Sequence, residues 1–323
     1  MNYYTKEMLW ELLLKLRNEV KVSGANMNTI AIFFNDARFE IFFNKIPEIS
    51  HNTKAIVFSK EELTLHFPKH VLFQFDDNYR IRLVHKKFLD DEQVEFLLTY
   101  LPFCFYVCRA HDLKRAVSIL HFAQTLDGRI ATQSGNSKWI GNQENLVHSH
   151  RLRALCDAIL VGGNTIKIDK PALNVRNVKG TNPIRVVVGN SLYDFSSLMK
   201  SDGKIFQITS NANNPVEGIE KIIVPETANH ILPSAILKEL YRRGIYSVFI
   251  EGGSTTASSF ITDKSLDILQ LFIAPKIFGS GICSFTLPSI RNVEESLSFI
   301  RSSYKNMGDG ILFEGEVVYQ KHE

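Results

Sequence analysis

Several things are scarce in this chain. Four cysteines among 323 residues, Cys104, Cys108, Cys156 and Cys283, make no disulfide framework, so a reducing cytoplasm is the expected setting. Charge of either sign is nearly cancelled, 37 Lys and Arg against 34 Asp and Glu, and no basic block points to nucleic acid. Apolar runs fall well short of the roughly 18 residues that a membrane span needs. The mixed-charge N-terminus from Met1 to Glu7 is unlike a signal peptide. The region before residue 112 shows no repeat and no low-complexity segment. What is present is a 45% apolar content, enough for the cores of two domains or one large one.

The first third reads as an α+β unit. Met8, Leu9, Leu12, Leu13, Leu16 and Val20 recur at helical spacing between residues 5 and 22, and Ser23-Gly24 ends the pattern. Ile30 to Phe34 and Phe39 to Phe43, joined through Asn35-Asp36-Ala37, carry a hairpin signal. Strand-like pieces follow at 55–58, 71–75 and 79–84, then a helix near 91–100. Thirteen of the 23 phenylalanines lie before residue 112, which argues a folded core. Cys104 and Cys108 sit in an apolar run and read as buried thiols. His51, His66, His70 and His85 have no ligand-type spacing with a partner. No metal site is expected, and no function is legible in residues 1–112.

A charged segment, Arg109 to Arg115, marks the boundary, and the second domain runs over 116–323. Near-continuous apolar strands then alternate with helices: 117–123, 157–161, 184–188, 204–209, 219–224 and 246–250, with helices near 142–155 and 235–243. This grammar predicts an α/β fold with a mostly parallel sheet covered on both faces. Ligands bind at the carboxyl ends of such strands. Three ends carry unusual residues: Ala123 to Arg129, Gly162 to Thr165, and Glu251 to Gly253.

The last of these is the most suggestive. The strand stops at a carboxylate, turns on two glycines and restarts as the small residues Ser254, Thr255, Thr256, Ala257, Ser258 and Ser259. Glycines allow close backbone approach, and free amides at a helix start attract phosphate. Gly-Gly alone reads more readily as an ordinary strand-to-helix turn. Glu251 is a poor structural choice at a buried strand end unless it is paired or functional. Arg153 and Arg176 supply planar donor forks suited to phosphate, or they are surface ion-pair partners. Trp139 fits a site or a core, and Asp127 with Arg129 fits a local turn.

Across 116–318 the chain resembles the reductase domain of riboflavin biosynthesis. The matching stretches are Ala123 to Ala131, Ser134 to Ile140, His150 to Arg153, Asp157 to Gly162, Thr165, Asp169, Pro171 to Arg176, Pro183 to Val188, Ile250 to Gly253 and Ile273 to Gly279. The resemblance implies a dihydrofolate-reductase-like fold and NADPH-dependent reduction of 5-amino-6-(5-phosphoribosylamino)uracil to its ribitylamino form. It implies cofactor contacts from Ala123, Trp139, Thr165, Asp169, Asn190 and Gly253 to Ser259. It implies substrate contacts from Ser137, Arg153, Leu173, Arg176 and Glu251, catalytic roles for Asp169 and Glu251, and a homodimer. Three features depart from the pattern. Lys170 stands where an Asp or Asn is usual, and Asn190 stands in Gly189-Asn190-Ser191 where Asp-Ser is commoner. The zinc-deaminase motifs of bifunctional members, His-x-Glu and Pro-Cys-x-x-Cys, are missing from residues 1–115. No deaminase activity and no zinc are therefore expected. The alternatives are a reductase of a related pyrimidine or pteridine, and a non-catalytic nucleotide-binding relative.

Overall fold

The computed structural model describes residues 5–24, 27–35, 38–47, 54–60, 70–76, 80–86, 88–211, 215–227 and 230–319. Parts of the hairpin turn (Asp36, Ala37), His51 and His66 lie outside the described residues. The chain divides into two compact units, Met1–Leu113 and Lys114–Glu323.

In the first unit, α1 (Lys6–Ser23) starts where the Thr5 hydroxyl accepts the Met8 amide at 3.2 Å, and it buries Leu9, Leu12, Leu13, Leu16 and Val20. Then come β1 (Thr29–Asn35), β2 (Arg38–Phe43), β3 (Lys54–Ser59), β4 (His70–Phe75) and β5 (Ile81–His85). They form a five-stranded sheet, among the described residues, in the order β2-β1-β3-β4-β5. Only β3 and β4 pair in parallel. α2 (Asp91–Cys104) opens on a capping box, Asp90 with Gln93, and α3 (Tyr106–Leu113) follows it directly. The apolar run around the two cysteines is thus helical. Burial pushes the Cys104 thiol up to about 12, which leaves it inert.

The second unit runs β6 (Val117–Thr125), β7 (Arg129–Ala131), α4 (Gln143–Leu155), β8 (Ala158–Gly162), α5 (Gly163–Asp169), β9 (Ile184–Val188), α6 (Ser196–Met199) and β10 (Ile205–Thr209). It continues with β11 (Glu220–Ile223), β12 (Glu226–Thr227), β13 (His230–Ile231), α7 (Pro233–Arg242), β14 (Ser247–Ile250) and α8 (Ser254–Thr262). Last are β15 (Ile268–Ala274), β16 (Ile282–Cys283), β17 (Ser298–Met307) and β18 (Gly310–Val318). The main sheet has the order β11-β10-β9-β8-β14-β6-β15-β18-β17, parallel from β11 to β15 and antiparallel over the last two strands.

Alternation along β6 decides what faces which layer. Leu120 packs in a cluster with Leu160, Val248, Ile250, Leu237 of α7 and Phe260 of α8. His121, one residue on, points to the opposite face, where its ring meets His148 of α4 at 4.9 Å. Helices therefore cover both faces, as the sequence pattern predicts. No helix among the described residues is long and apolar enough to cross a membrane.

Candidate active site

The functional side chains gather where β8, β9 and β14 end side by side, against the second half of β6. The turn after β14 is tight. A Cβ on Gly252 would lie 2.6 Å from Thr256 Cβ, and one on Gly162, at the end of β8, would lie 2.6 Å from Thr256 Oγ1. Both glycines are needed for the two strand ends to close on the first turn of α8. Gly253 is different: nothing lies within 4 Å of its missing side chain. It caps α8 with no side-chain hydrogen bond, so the first amides of the helix face open space.

The run expected to follow splits in two. Gly253, Ser254, Thr255 and Thr256 line the helix start. Ala257 and Ser258 are buried, and Ser258 Oγ accepts the Thr286 amide at 2.8 Å. Ser259 is exposed a turn further on, where its Oγ donates to the Thr256 carbonyl at 2.7 Å. None of those three side chains stands at the helix start.

Glu251 is resolved by its partner. Arg153 donates from Nε to Oε2 at 2.9 Å and from Nη2 to Oε1 at 2.6 Å, and from Nη1 to the Asn174 carbonyl at 3.0 Å. Arg153 is only 6% exposed. A two-pronged pair of this kind satisfies the strand-end carboxylate, and it also neutralises much of the arginine charge. Arg176 is the freer of the two arginines: its Nη1 donates to Asn174 Oδ1 at 3.0 Å at an exposed position. Its backbone amide donates to His150 Nδ1 at 3.2 Å. Leu173, buried nearby, holds a positive φ of 49°, a strained state for a leucine.

The remaining expected residues are spread around this centre. Ala123, near the end of β6, touches the space of Gly141 beside Asn145. Trp139 is not core: it is 82% exposed, has a φ of 67°, and the Lys276 ammonium hydrogen-bonds its carbonyl. Ser137 is exposed in the same loop. Thr165 and Asp169 lie on α5, and burial pushes the Asp169 carboxyl above its ordinary range. Lys170 ends that helix in the left-handed region and pairs loosely with Asp194 at 3.7 Å. Asn190 is engaged elsewhere. Its Oδ1 accepts from Thr209 Oγ1 and the Ser210 amide, both at 2.8 Å, and its Nδ2 donates to Glu226. Asp127 accepts from Thr125 Oγ1 at 2.5 Å and from the Gly279 amide at 2.7 Å, a turn-stabilising role.

Two features were not read from the sequence. The Tyr193 phenol fills the ends of β8 and β9, where a Cβ on Gly163 or Gly189 would lie 2.0 Å from its oxygen. Three fully buried histidines, His121, His148 and His150, surround the Arg153–Glu251 pair and the row beside it. Burial above all, with Arg153 and Arg176 adding to it, lowers His150 to about 4. A histidine inside an otherwise apolar strand, Val117 to Ala123, was the one available signal. Among the described residues no three His, Cys, Asp or Glu side chains converge to hold a metal ion.

Residues 116–313 match the family described as the RibD C-terminal domain. The riboflavin biosynthesis protein RibD of Aquifex aeolicus is 34% identical over 204 residues, 62% of this chain and 57% of that protein. The 2,5-diamino-6-ribosylamino-4(3H)-pyrimidinone 5′-phosphate reductase of Methanothermobacter thermautotrophicus is 33% identical over 220 residues, 62% of this chain and 97% of that protein. The chain spans 57%, 39% and 49% of three curated relatives, about half their length. Among solved structures, Acinetobacter baumannii RibD aligns with a TM-score of 0.63 at 18% identity, over 97% of this chain and 99% of that one. A Thermotoga maritima deaminase/reductase aligns with a TM-score of 0.59 at 20% identity, over 97% and 99%. Both fold likenesses run through the N-terminal unit, which sequence reading left without a counterpart.

Proposed function

The chain belongs to the RibD C-terminal domain family, and we propose that its second unit is an NADPH-dependent reductase of riboflavin biosynthesis. In this reading it converts the ribosyl side chain of 5-amino-6-(5-phosphoribosylamino)uracil to the ribityl form, as a homodimer in the cytoplasm. One observation carries it: an uncapped helix start behind an open glycine adjoins Glu251, at the end of β14, in a two-pronged pair with the buried Arg153 of α4.

The residues fit a dinucleotide. Gly253 leaves the space a pyrophosphate would fill, and the first amides of α8 offer donors aligned with the helix dipole. Thr256 packs against the glycine turn that leads to that space, and in this reading Thr165 and Ala123 complete the cofactor contacts. NADPH, when bound, supplies hydride; the chain supplies orientation and electrostatics. Glu251, held flat by Arg153, keeps lone pairs for a donor on the pyrimidine edge or the sugar. Arg176, less neutralised than Arg153, suits the substrate phosphate. Asp169 and Glu251 remain the acidic groups closest to this chemistry in the reading. Glu251 works as a fixed acceptor, because the two-pronged pairing with Arg153 holds its position.

A second substrate reading has one specific observation behind it. The chain covers 97% of a relative named for 2,5-diamino-6-ribosylamino-4(3H)-pyrimidinone 5′-phosphate, a pyrimidine that still carries its amino group. Purified protein given NADPH and each of the two phosphates separately decides between them. Loss of reduced-nicotinamide absorbance with the matching product mass is expected for the uracil. Turnover of only the diamino compound would transfer the assignment to it. Absence of NADPH binding and of turnover with either would favour a non-catalytic nucleotide-binding relative.

A further inference from the structure

Behind the Arg153–Glu251 pair lies a group of buried polar side chains that the reading above does not use. His121 is 1% exposed, and neither ring nitrogen has a hydrogen-bond partner of normal geometry. The nearest polar groups are the Asn145 side chain and the Gln270 backbone. Asn145 Oδ1 and His150 Nε2 are likewise buried and unpartnered. Such atoms are costly to bury, and a cluster of them calls for an explanation.

Their placement supplies one. Ile250 is the register partner of Leu120, so Glu251, just past the end of β14, stands next to His121 in the middle of β6. Ala123 follows His121 on the same face, and Asn145 reaches the space beside Ala123. The opposite side of the ring is fixed. His121 lies across from Gln270, and Gln270 lies across from Glu314. Gln270 Nε2 donates to Glu314 Oε2, which leaves Gln270 Oε1 to accept from His148 Nε2 at 3.0 Å. His148 is thereby held with its proton on Nε2, and its ring packs edge-to-face on His121. The groups that act on His121 are Glu251, which favours its protonation, and Arg153, which opposes it; His148, Asn145, Gln270 and, further along the row, Glu314 and Lys305 complete its surroundings. Burial outweighs Glu251 and lowers His121 to about 4, so the ring is neutral at physiological pH.

We infer that His121 is the proton-relaying residue of the reductase site, a neutral imidazole whose two free nitrogens serve the substrate, and that Asn145, His148 and Gln270 position it. The inference rests on the reductase reading. That reaction moves protons twice. The sugar opens by shifting a proton from the exocyclic nitrogen to the ring oxygen, which breaks the C1′–O bond and leaves a C=N bond. Hydride then adds to C1′, the π pair goes to nitrogen, and nitrogen takes a proton that comes from solvent. A neutral imidazole performs both without ionising. In the first transfer one nitrogen accepts from the substrate nitrogen while the other releases its proton to the ring oxygen. In the second the directions reverse, with solvent reloading the second nitrogen, and the ring returns to its starting tautomer. Both ring nitrogens must be available for this, and neither has a hydrogen-bond partner of normal geometry.

The test uses the full chain with NADPH and the phosphoribosylamino-pyrimidine that the wild type turns over. His121→Gln and His121→Ala are expected to lower kcat by about 100-fold or more, in the range of a lost acid–base group. KM and the NADPH dissociation constant, read by nicotinamide fluorescence, should stay within about threefold. Added imidazole should restore part of kcat in His121→Ala and none in His121→Gln. Where His121→Ala is unfolded by circular dichroism, His121→Asn takes its place, with the same kcat loss expected. A kcat within threefold of wild type in any folded variant overturns the role of His121 and leaves the reductase reading standing. A wild type that binds no NADPH and reduces neither phosphate overturns both.

Discussion

The two units bury different things. Among the described residues of the first, the buried polar side chains are Ser59, Gln93 and Thr99, and the core is aromatic: Phe58 stacks on Phe73 at 5.1 Å, and Phe105 meets Phe58 at 6.1 Å and Phe75 at 5.9 Å. The second buries His121, His148, His150, Arg153, Arg185, Asp267 and Gln270. Burying such groups is costly unless they are paired, so each is a question that an apolar core never poses. Some are largely answered within the fold, although Arg185 Nε stays without a partner. Arg185 donates to the carbonyls of Leu198 at 2.9 Å, Ser201 at 3.0 Å and Gly203. Arg115 grips Asp267 with two bonds of 2.8 Å, and Ser118 donates its amide to the same carboxylate at 2.9 Å. His121, beside Glu251, has no such closure, and His150 has a partner on Nδ1 alone. Burial that is mostly satisfied reads as architecture; an imidazole with both nitrogens unpartnered beside Glu251 is the exception that asks for a chemical account.

The sharpest way to break this contrast is to unpair the centre of the second unit. Glu251→Ala leaves Arg153 buried without its counter-charge. The expected cost is about 3–5 kcal/mol of stability, with activity lost as well. Glu251→Gln, which keeps the shape, should cost less stability and nearly as much activity. Denaturant unfolding together with turnover reads both. In the first unit the same approach should give stability loss alone. Phe73→Ala, at a fully buried position, is expected to cost about 3 kcal/mol through the cavity it leaves, with kcat of the folded protein unchanged. A drop in kcat there would mean that the first unit takes part in the reaction.

Acid should also separate the units. His121 and His150 titrate near 4 when folded, and His148 is also lowered, against 6.5 for an unhindered imidazole. A folded-state value below the unfolded one means that the unfolded chain takes up protons first. The stability of the second unit is therefore fully present above about pH 6.5 and declines as pH falls toward 4. A loss of about 3 kcal/mol by about pH 5.5 is expected from His121 and His150 together, since one pH unit below the free value each contributes about 1.4 kcal/mol. Glu314, raised by burial, works in the opposite direction and blunts the fall. Thermal melts across that range check it, and His121→Gln should flatten the curve.

How much of this was legible in the chain follows the same divide. Strand and helix positions were readable in both units, because β6, β8, β9 and β14 are continuous apolar runs and α1 keeps strict helical spacing. The glycine turn after Ile250 announced itself, since few residue types fit beside Thr256 there. Pairings were not readable. Nothing local to Glu251 says that its partner is 98 residues earlier, and Asn190 carries no sign that Thr209 and Glu226 hold it. The short helix α5 was hidden because its start, Gly162-Gly163-Asn164-Thr165, has the composition of a loop. The histidines were missed for a related reason: His121 looks like a tolerated polar residue in a strand until His148, Gln270 and Glu251 are seen around it.

The smallest expected effect concerns the two cations that sequence reasoning placed near phosphate. Arg176 keeps most of its charge, held only by the neutral Asn174 side chain, whereas Lys170 faces Asp194 at 3.7 Å with both side chains more than half exposed. An exposed pair of that kind contributes about 0–1 kcal/mol and is screened by salt. Arg176→Ala should raise KM for the phosphorylated substrate about tenfold at unchanged kcat, the size of one lost charge-assisted contact. Lys170→Ala should move KM less than about twofold and stability by no more than about 0.5 kcal/mol. Measuring both KM values at low and high salt discriminates direct contact from general attraction. The Arg176 effect should persist in salt, because a bidentate contact resists screening, and any Lys170 effect should vanish. The reverse ranking would mean that Lys170 leaves Asp194 to grip the phosphate, and that the departure from the family pattern at this position adjusts which anion the site accepts.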